Sequence, residues 1–229
     1  MAKKEKNHEC TEYRIIRSKR KTAMLVVKSD GKVEVRVPNG VTDAEIKRIL
    51  SDKAEWIAKH QEQISIRRAK KEAFRLKPGD RIRLMDERFP IKMGKCPAFE
   101  KGIFWVSSET LIKEQVIQIY RVLARKILCE KIAYWEPIVG VKATGFRING
   151  AKTRWGSCSG KNSLNFSWRL IMAPEAAVDY VVVHELCHIL EHNHSKGFWK
   201  QVEGVLPDYR QRQACLKAFS ESLAMENWD

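Results

Sequence analysis

The sequence predicts an α+β protein, and three observations carry that reading. Apolar and polar residues alternate in the N-terminal part, most clearly at Val33, Val35 and Val37 around Glu34 and Arg36, which marks strands. Apolar residues recur every three or four positions through 109–135, which marks a long amphipathic helix. The run Tyr180-Val181-Val182-Val183 is apolar on every side and leads into His184-Glu185-Leu186-Cys187-His188, so a fully buried helix also carries polar groups. The expected division is a β-rich region with one long helix at 1–106 and a second region, holding the histidine-bearing helix, at 107–229.

Taken in order, residues 13–17 and 23–28 are short apolar-rich runs, and Ser29-Asp30-Gly31-Lys32 is a turn signal before the alternating Val33 segment. The pattern is that of a β-hairpin with one wet face. Asn39-Gly40 ends it, and Thr42 with Glu45 forms a capping box for a single helix whose stripe is Ile46, Ile49, Leu50, Ala54, Ile57 and Ile64. After the turn Lys77-Pro78-Gly79-Asp80, the residues Ile82, Leu84, Phe89 and Ile91 and the run Ile103-Phe104-Trp105-Val106 predict a small antiparallel sheet. The helix at 109–135 presents Ile112, Val116, Ile119, Tyr120, Leu123, Ile127, Leu128 and Ile132 to the core. Strands are expected at 141–148 and 163–171, on either side of a glycine-containing loop at 154–161. Pro174 suits the first turn of the histidine-bearing helix, and Asn193 reads as its left-handed stop. Ser195 is the N-cap of the next helix, with Phe198, Trp199, Val202 and Val205. Leu206-Pro207-Asp208-Tyr209 then breaks the chain before a final helix reaching about residue 225.

Composition sets outer limits. No apolar run among the 229 residues is long enough to span a membrane, and the first residues lead into no hydrophobic signal region, so a cytoplasmic protein is expected. The six cysteines, Cys10, Cys96, Cys129, Cys158, Cys187 and Cys215, are scattered without a C-x-x-C pair and read as free thiols. The net charge of +15 gathers in Arg14-Ile15-Ile16-Arg17-Ser18-Lys19-Arg20-Lys21, in 47–59 and in Arg67-Arg68-Ala69-Lys70-Lys71. Such an excess suits either salt-dependent, sequence-indifferent contact with nucleic acid or simply a solvated surface.

The chemistry-bearing stretch is 178–195, which holds four of the six histidines. Residues four apart share a helix face, so His184 and His188 can each offer a ring nitrogen to one metal ion. Glu185 stands beside them, where its carboxylate can take a proton from a metal-bound water. A catalytic zinc takes three protein ligands, and the candidates for the third are His192, His194, Glu191 and Glu203. His194 is preferred, because a residue just past a helix stop can approach from the side that completes a tetrahedron.

The segments Arg154-Trp155-Gly156-Ser157-Cys158-Ser159, Asn165-Phe166-Ser167-Trp168-Arg169-Leu170-Ile171-Met172-Ala173-Pro174, Asp179-Tyr180-Val181-Val182-Val183-His184-Glu185-Leu186-Cys187-His188 and Asn193-His194-Ser195-Lys196-Gly197-Phe198-Trp199 resemble the YgjP-like family of metallopeptidases. This domain-of-unknown-function 45 group is related to the SprT-like and WLM zinc peptidases. The likeness runs through most of the chain, including the N-terminal Arg-Ser-Lys-Arg-Lys segment and the Trp56-Ile57 helix. It implies a zincin-like metallopeptidase core, one zinc ion per chain on His184, His188 and His194, and Glu185 as general base. It also implies that the loop with Trp155 rims the active site. Arg154, Trp155 and Asn165 are the candidate substrate-binding residues, with 162–168 as an edge strand to which a peptide adds. Arg154 could hold an oxyanion or a substrate carboxylate, or pair with Asp179 or Glu191. Tyr209 could offer a phenol or pack at a helix junction.

The function expected is peptide-bond hydrolysis by a metal-activated water, with a peptide or protein as substrate and no membrane partner. The competing readings are a nucleic-acid-associated basic protein with a structural metal, a metal hydrolase acting on another bond, and a protease acting on nucleic-acid-bound proteins.

Overall fold

The computed structural model describes residues 13–228. The chain forms two compact units that divide between Ala73 and Phe74. Cys10 lies outside the described residues. The strands at 81–106, expected in an N-terminal region ending at 106, belong instead to the second unit. Phe104 packs on Tyr120 with ring centroids 5.2 Å apart, and the Met85 N–H donates to the Ile171 carbonyl at 2.8 Å.

In the first unit, β2 (Met24–Val27) and β3 (Val33–Pro38) form the expected hairpin. Gly31 supplies the left-handed turn at φ +84°, and the Lys32 N–H donates to the Asp30 carboxylate. The third strand, β1 (Tyr13–Ser18), lies on the other side of β3 and runs parallel to it. Val33, Val35 and Val37 point to one face and are buried with Ile46 of α1 (Asp43–Asp52) and Ile57 of α2 (Ala54–Ala73). The Thr42 capping box is formed: Thr42 Oγ1 accepts from Glu45 N–H, and the Glu45 carboxylate accepts from Thr42 N–H. The single helix expected here is interrupted at Lys53, whose φ of −109° leaves the helical region.

In the second unit the long helix α3 spans Ile112–Val139, and its buried stripe includes Val116, Tyr120, Ala124 and Leu128. Gly140 closes it in the left-handed conformation at φ +79°. β4 (Arg81–Leu84), β5 (Glu87–Met93), β6 (Ala98–Glu100) and β7 (Ile103–Val106) form a sheet in the order β4-β5-β7-β6. The small sheet expected to be antiparallel is mixed, because β5 and β7 pair in parallel. A second sheet has β10 (Ser163–Ser167) between β8 (Gly145–Asn149) and β9 (Gly156–Cys158).

A 3-10 turn at Trp168–Met172 then feeds α4 (Glu175–Cys187), which packs against α3 and is followed by α5 (Lys196–Val205) and α6 (Tyr209–Leu223). The architecture is mixed α+β, with three small sheets among the described residues. No helix among them is long and apolar enough to cross a membrane.

Candidate metal centre

α4 is apolar because it is surrounded: Ala177, Val178, Tyr180, Val181, Val182, Val183, Leu186 and Cys187 are all buried. An ion-pair group fixes its first turns. Asp179 accepts from Lys131 Nζ and from Trp135 Nε1, each at 2.9 Å, and Lys131 also reaches Glu175. Asp179 therefore faces Lys131, and Arg212 at 3.9 Å, rather than Arg154.

The helix stops earlier than the sequence suggests. Its last residue is Cys187, and His188 is the C-cap. Asn193 is not left-handed; the chain reverses through turns at 188–190 and bends at 192–193. The Leu190 and Glu191 N–H groups satisfy the Cys187 carbonyl that the ending helix leaves free. Ser195 caps α5 as expected, its hydroxyl accepting from Phe198 N–H at 3.2 Å. This return places His194 over the end of α4.

The result is convergence. His184, His188 and His194 each present a ring nitrogen, all within 4.8 Å of one another. The Nε2 atoms of His184 and His194 are 3.0 Å apart. His188 is oriented through Nδ1, 3.0 Å from the Glu191 carbonyl, which leaves its Nε2 for a ligand. His184 Nδ1 is buried without a hydrogen-bond partner. Burial, and then His188 and His194, push the His184 pKa down to about 3, so the ring is neutral at pH 7. The neutral imidazole is the form that binds a metal, so the donor set fits a divalent ion. Of the other ligand candidates, Glu191 contributes its carbonyl to orient His188, Glu203 lines a cavity beyond Trp199, and His192 is exposed outside the trio.

Glu185 is buried at 6% exposure. Burial pushes its pKa up to about 7, against the opposing effect of the Cys158 N–H and the charge of Arg154. Gly156 lies directly on this side chain, where a Cβ would meet Glu185 Cγ and Oε1 at 2.7 Å. Tyr180, one turn before His184, is buried with its ring 5.7 Å from the imidazole. Burial, with Tyr209 and Glu185 nearby, pushes its phenol up to about 12. The sequence reading missed Tyr180, although its four-residue spacing from His184 was a usable signal. Gly156 offered only a glycine in a loop.

Among the substrate-binding candidates, Arg154 is exposed and its charge reaches Glu185. Trp155 packs its ring 5.6 Å from Phe219 and lines a cavity along α6. Asn165 pairs with Ser157, on the sheet face opposite Gly156 and Phe166, and so faces away from Glu185. The segment at 162–168 is no edge: β10 is paired on both sides. β8 and β9 are the edge strands, and β9 is the one that lies against Glu185. Ser159 N–H bonds Ser163, and the Trp155 carbonyl accepts from Ser167, so the odd residues of β9 pair inward. Gly156 and Cys158 therefore turn their backbone groups outward. Tyr209 sits at the junction of α5 and α6, stacked on Trp199 at 5.5 Å.

Three convergent imidazoles form a group that could hold a metal ion, and a buried carboxylate is their neighbour on the same helix. Residues 21–219 match the family described as YgjP-like, metallopeptidase domain, and the chain belongs to that family. Among solved structures, the chain is similar to the metallopeptidase zymogen of Pyrococcus abyssi abylysin. The identity is 23% and the TM-score 0.38, over 44% of this chain and 97% of that one. No curated protein matches.

Proposed function

We propose that the chain is a zinc-dependent peptidase with a zincin-type core, in which His184, His188 and His194 hold one zinc ion and Glu185 is the general base. The observation that carries this reading is the convergence of three ring nitrogens at the end of a helix that also buries Glu185. The ion, when bound, supplies Lewis acidity that polarises a carbonyl and brings a water's pKa toward ~7.

The protein's own part is positioning and proton transfer. Glu185 accepts a proton from the attacking water and returns it to the departing amine nitrogen, a role suited to a carboxyl whose pKa burial has raised to about 7. The backbone of Gly156 and the N–H of Cys158 hold that carboxylate in place. The substrate is a peptide or protein segment in extended form. It pairs with the outward backbone groups of Gly156 and the outward carbonyl of Cys158 on β9, which puts its carbonyls alongside Glu185. Arg154 is the nearby cation for an oxyanion or a substrate carboxylate.

The test is hydrolysis of a broad peptide mixture by the zinc-loaded protein and by Glu185→Gln. The variant is expected to keep its metal and to lose about 10²–10⁴-fold in rate. Wild-type rates from Glu185→Gln would refute the assignment.

A further inference from the structure

One aromatic ring separates the histidine trio from a charged cavity. Trp199 stacks on His194 with centroids 5.6 Å apart and an interplanar angle of 28°. It also stacks on Tyr209 at 5.5 Å and 22°. Trp199 and Tyr209 form part of the wall of a cavity of about 450 Å³ that Lys196, Lys200, Arg210 and Glu203 complete. Three cations thus face one carboxylate. Arg210 is steered by its own hydrogen bond, Nε donating to the Tyr209 phenol oxygen at 3.1 Å. No ion pair within 4.0 Å joins Lys196, Lys200 or Arg210 to an acid among the described residues, which leaves the two ammonium groups and the Arg210 guanidinium nitrogens other than Nε for an incoming group.

We propose that this cavity is the subsite for an acidic side chain, Asp or Glu, of a peptide substrate close to the scissile bond; the inference rests on the peptidase reading above. The excess of positive charge selects a carboxylate, and Trp199 and Tyr209 border the methylene groups that carry it. The cavity does not end there. A second one, of about 550 Å³, shares Arg210 and Gln213 and continues past Trp155, Ala214 and Leu216. Arg210, Gln213, Lys217 and Ser220 lie three or four residues apart and form one face of α6, so the two cavities make a single trough. A trough with a basic end and an apolar end fits an extended chain better than a small acidic molecule, which would fill only the first part.

The test uses binding as well as cleavage. Zinc-loaded full-length Glu185→Gln is titrated into fluorescent hexapeptides that carry Glu, Gln or Lys at each position in turn, read by anisotropy. At one position, the Glu peptide is expected to bind about tenfold more tightly than the Lys peptide, with the gap narrowing as salt rises. Adding Lys196→Glu and Lys200→Glu should reverse that order. Lys200→Met, which keeps the side-chain length and loses the charge, should narrow the gap even if the double reversal fails to fold. Equal binding of the three peptides, or an unchanged order in the lysine variants, overturns the subsite. The wild-type protein is then given the same peptides. Selective binding without cleavage sinks the peptidase reading and leaves the subsite standing, whereas cleavage with no charge preference does the opposite.

Discussion

A Cβ placed on Gly156 would lie 2.7 Å from both Cγ and Oε1 of Glu185, so the edge strand β9 and the proposed base are in direct van der Waals register. Backbone, not a flexible side chain, forms that wall. Gly156→Ala must therefore push Glu185 aside, while the three histidines, held by α4 and the cap of α5, keep their places. The expected result is a fall of about 10²-fold in kcat with zinc content unchanged, since a misplacement near 1 Å costs that much. Steady-state kinetics beside elemental analysis check it.

The cap of α5 gives a stability prediction. Ser195 Oγ accepts from Phe198 N–H at 3.2 Å and follows His194 directly. Ser195→Ala is expected to cost about 1 kcal/mol and to lower Tm by about 2–4 °C. Differential scanning calorimetry reads this, and Ser195→Asp, which restores an acceptor, should recover the loss.

Much of this geometry could be read before the structure, and the reason is locality. The His184–His188 spacing, the Thr42 capping box, the hairpin around Gly31 and the Ser195 cap each depend on residues within a few positions of one another. What the sequence hid depends on distant pairing. Nothing local marks β1 as parallel to β3, or β10 as an interior strand with β9 outside it. The segment at 162–168 reads as an edge only because strand order is invisible in a linear pattern. Asn193 misled for a related reason: the helix ends at Cys187, where its carbonyl is satisfied by the returning chain, six residues before the residue type that signals a stop. His194 still arrives, by a turn instead of a left-handed asparagine.

The group around Lys131 ties α3 to α4. Asp179 holds Lys131 Nζ and Trp135 Nε1, each at 2.9 Å, with its side chain only 15% exposed. Asp179→Ala leaves a half-buried indole N–H without its acceptor and removes one of the two acids on the lysine. A loss of about 2 kcal/mol is expected from urea unfolding.

Trp228 anchors the end of the described chain. It is 4% exposed, its ring lies 5.7 Å from Tyr120 and 6.1 Å from Trp168, and its carbonyl accepts from Arg169 at 2.8 Å. Trp228→Ala should destabilise the second unit by about 3–5 kcal/mol, the range for emptying a buried aromatic site, again read by urea unfolding.

In the first unit, Glu34 is buried and held by Lys28 and Arg36. Hydrogen bonds from those two cations, Lys28 first, keep its carboxyl below the ordinary glutamate range. The folded pKa lies under the unfolded one, so this stabilisation is complete above about pH 4.3 and is lost as pH falls toward the depressed value. Thermal unfolding followed from pH 7 to 3 should show a steeper acid decline for the wild type than for Glu34→Gln.

The central claim is that His184, His188 and His194 form one metal site, and metal content tests it most directly. Elemental analysis of the zinc-loaded, desalted protein should give one equivalent of zinc in the wild type and near none in His194→Ala. A wild type that holds no zinc under chelator-free conditions, or a His194→Ala protein that holds a full equivalent, would contradict the account.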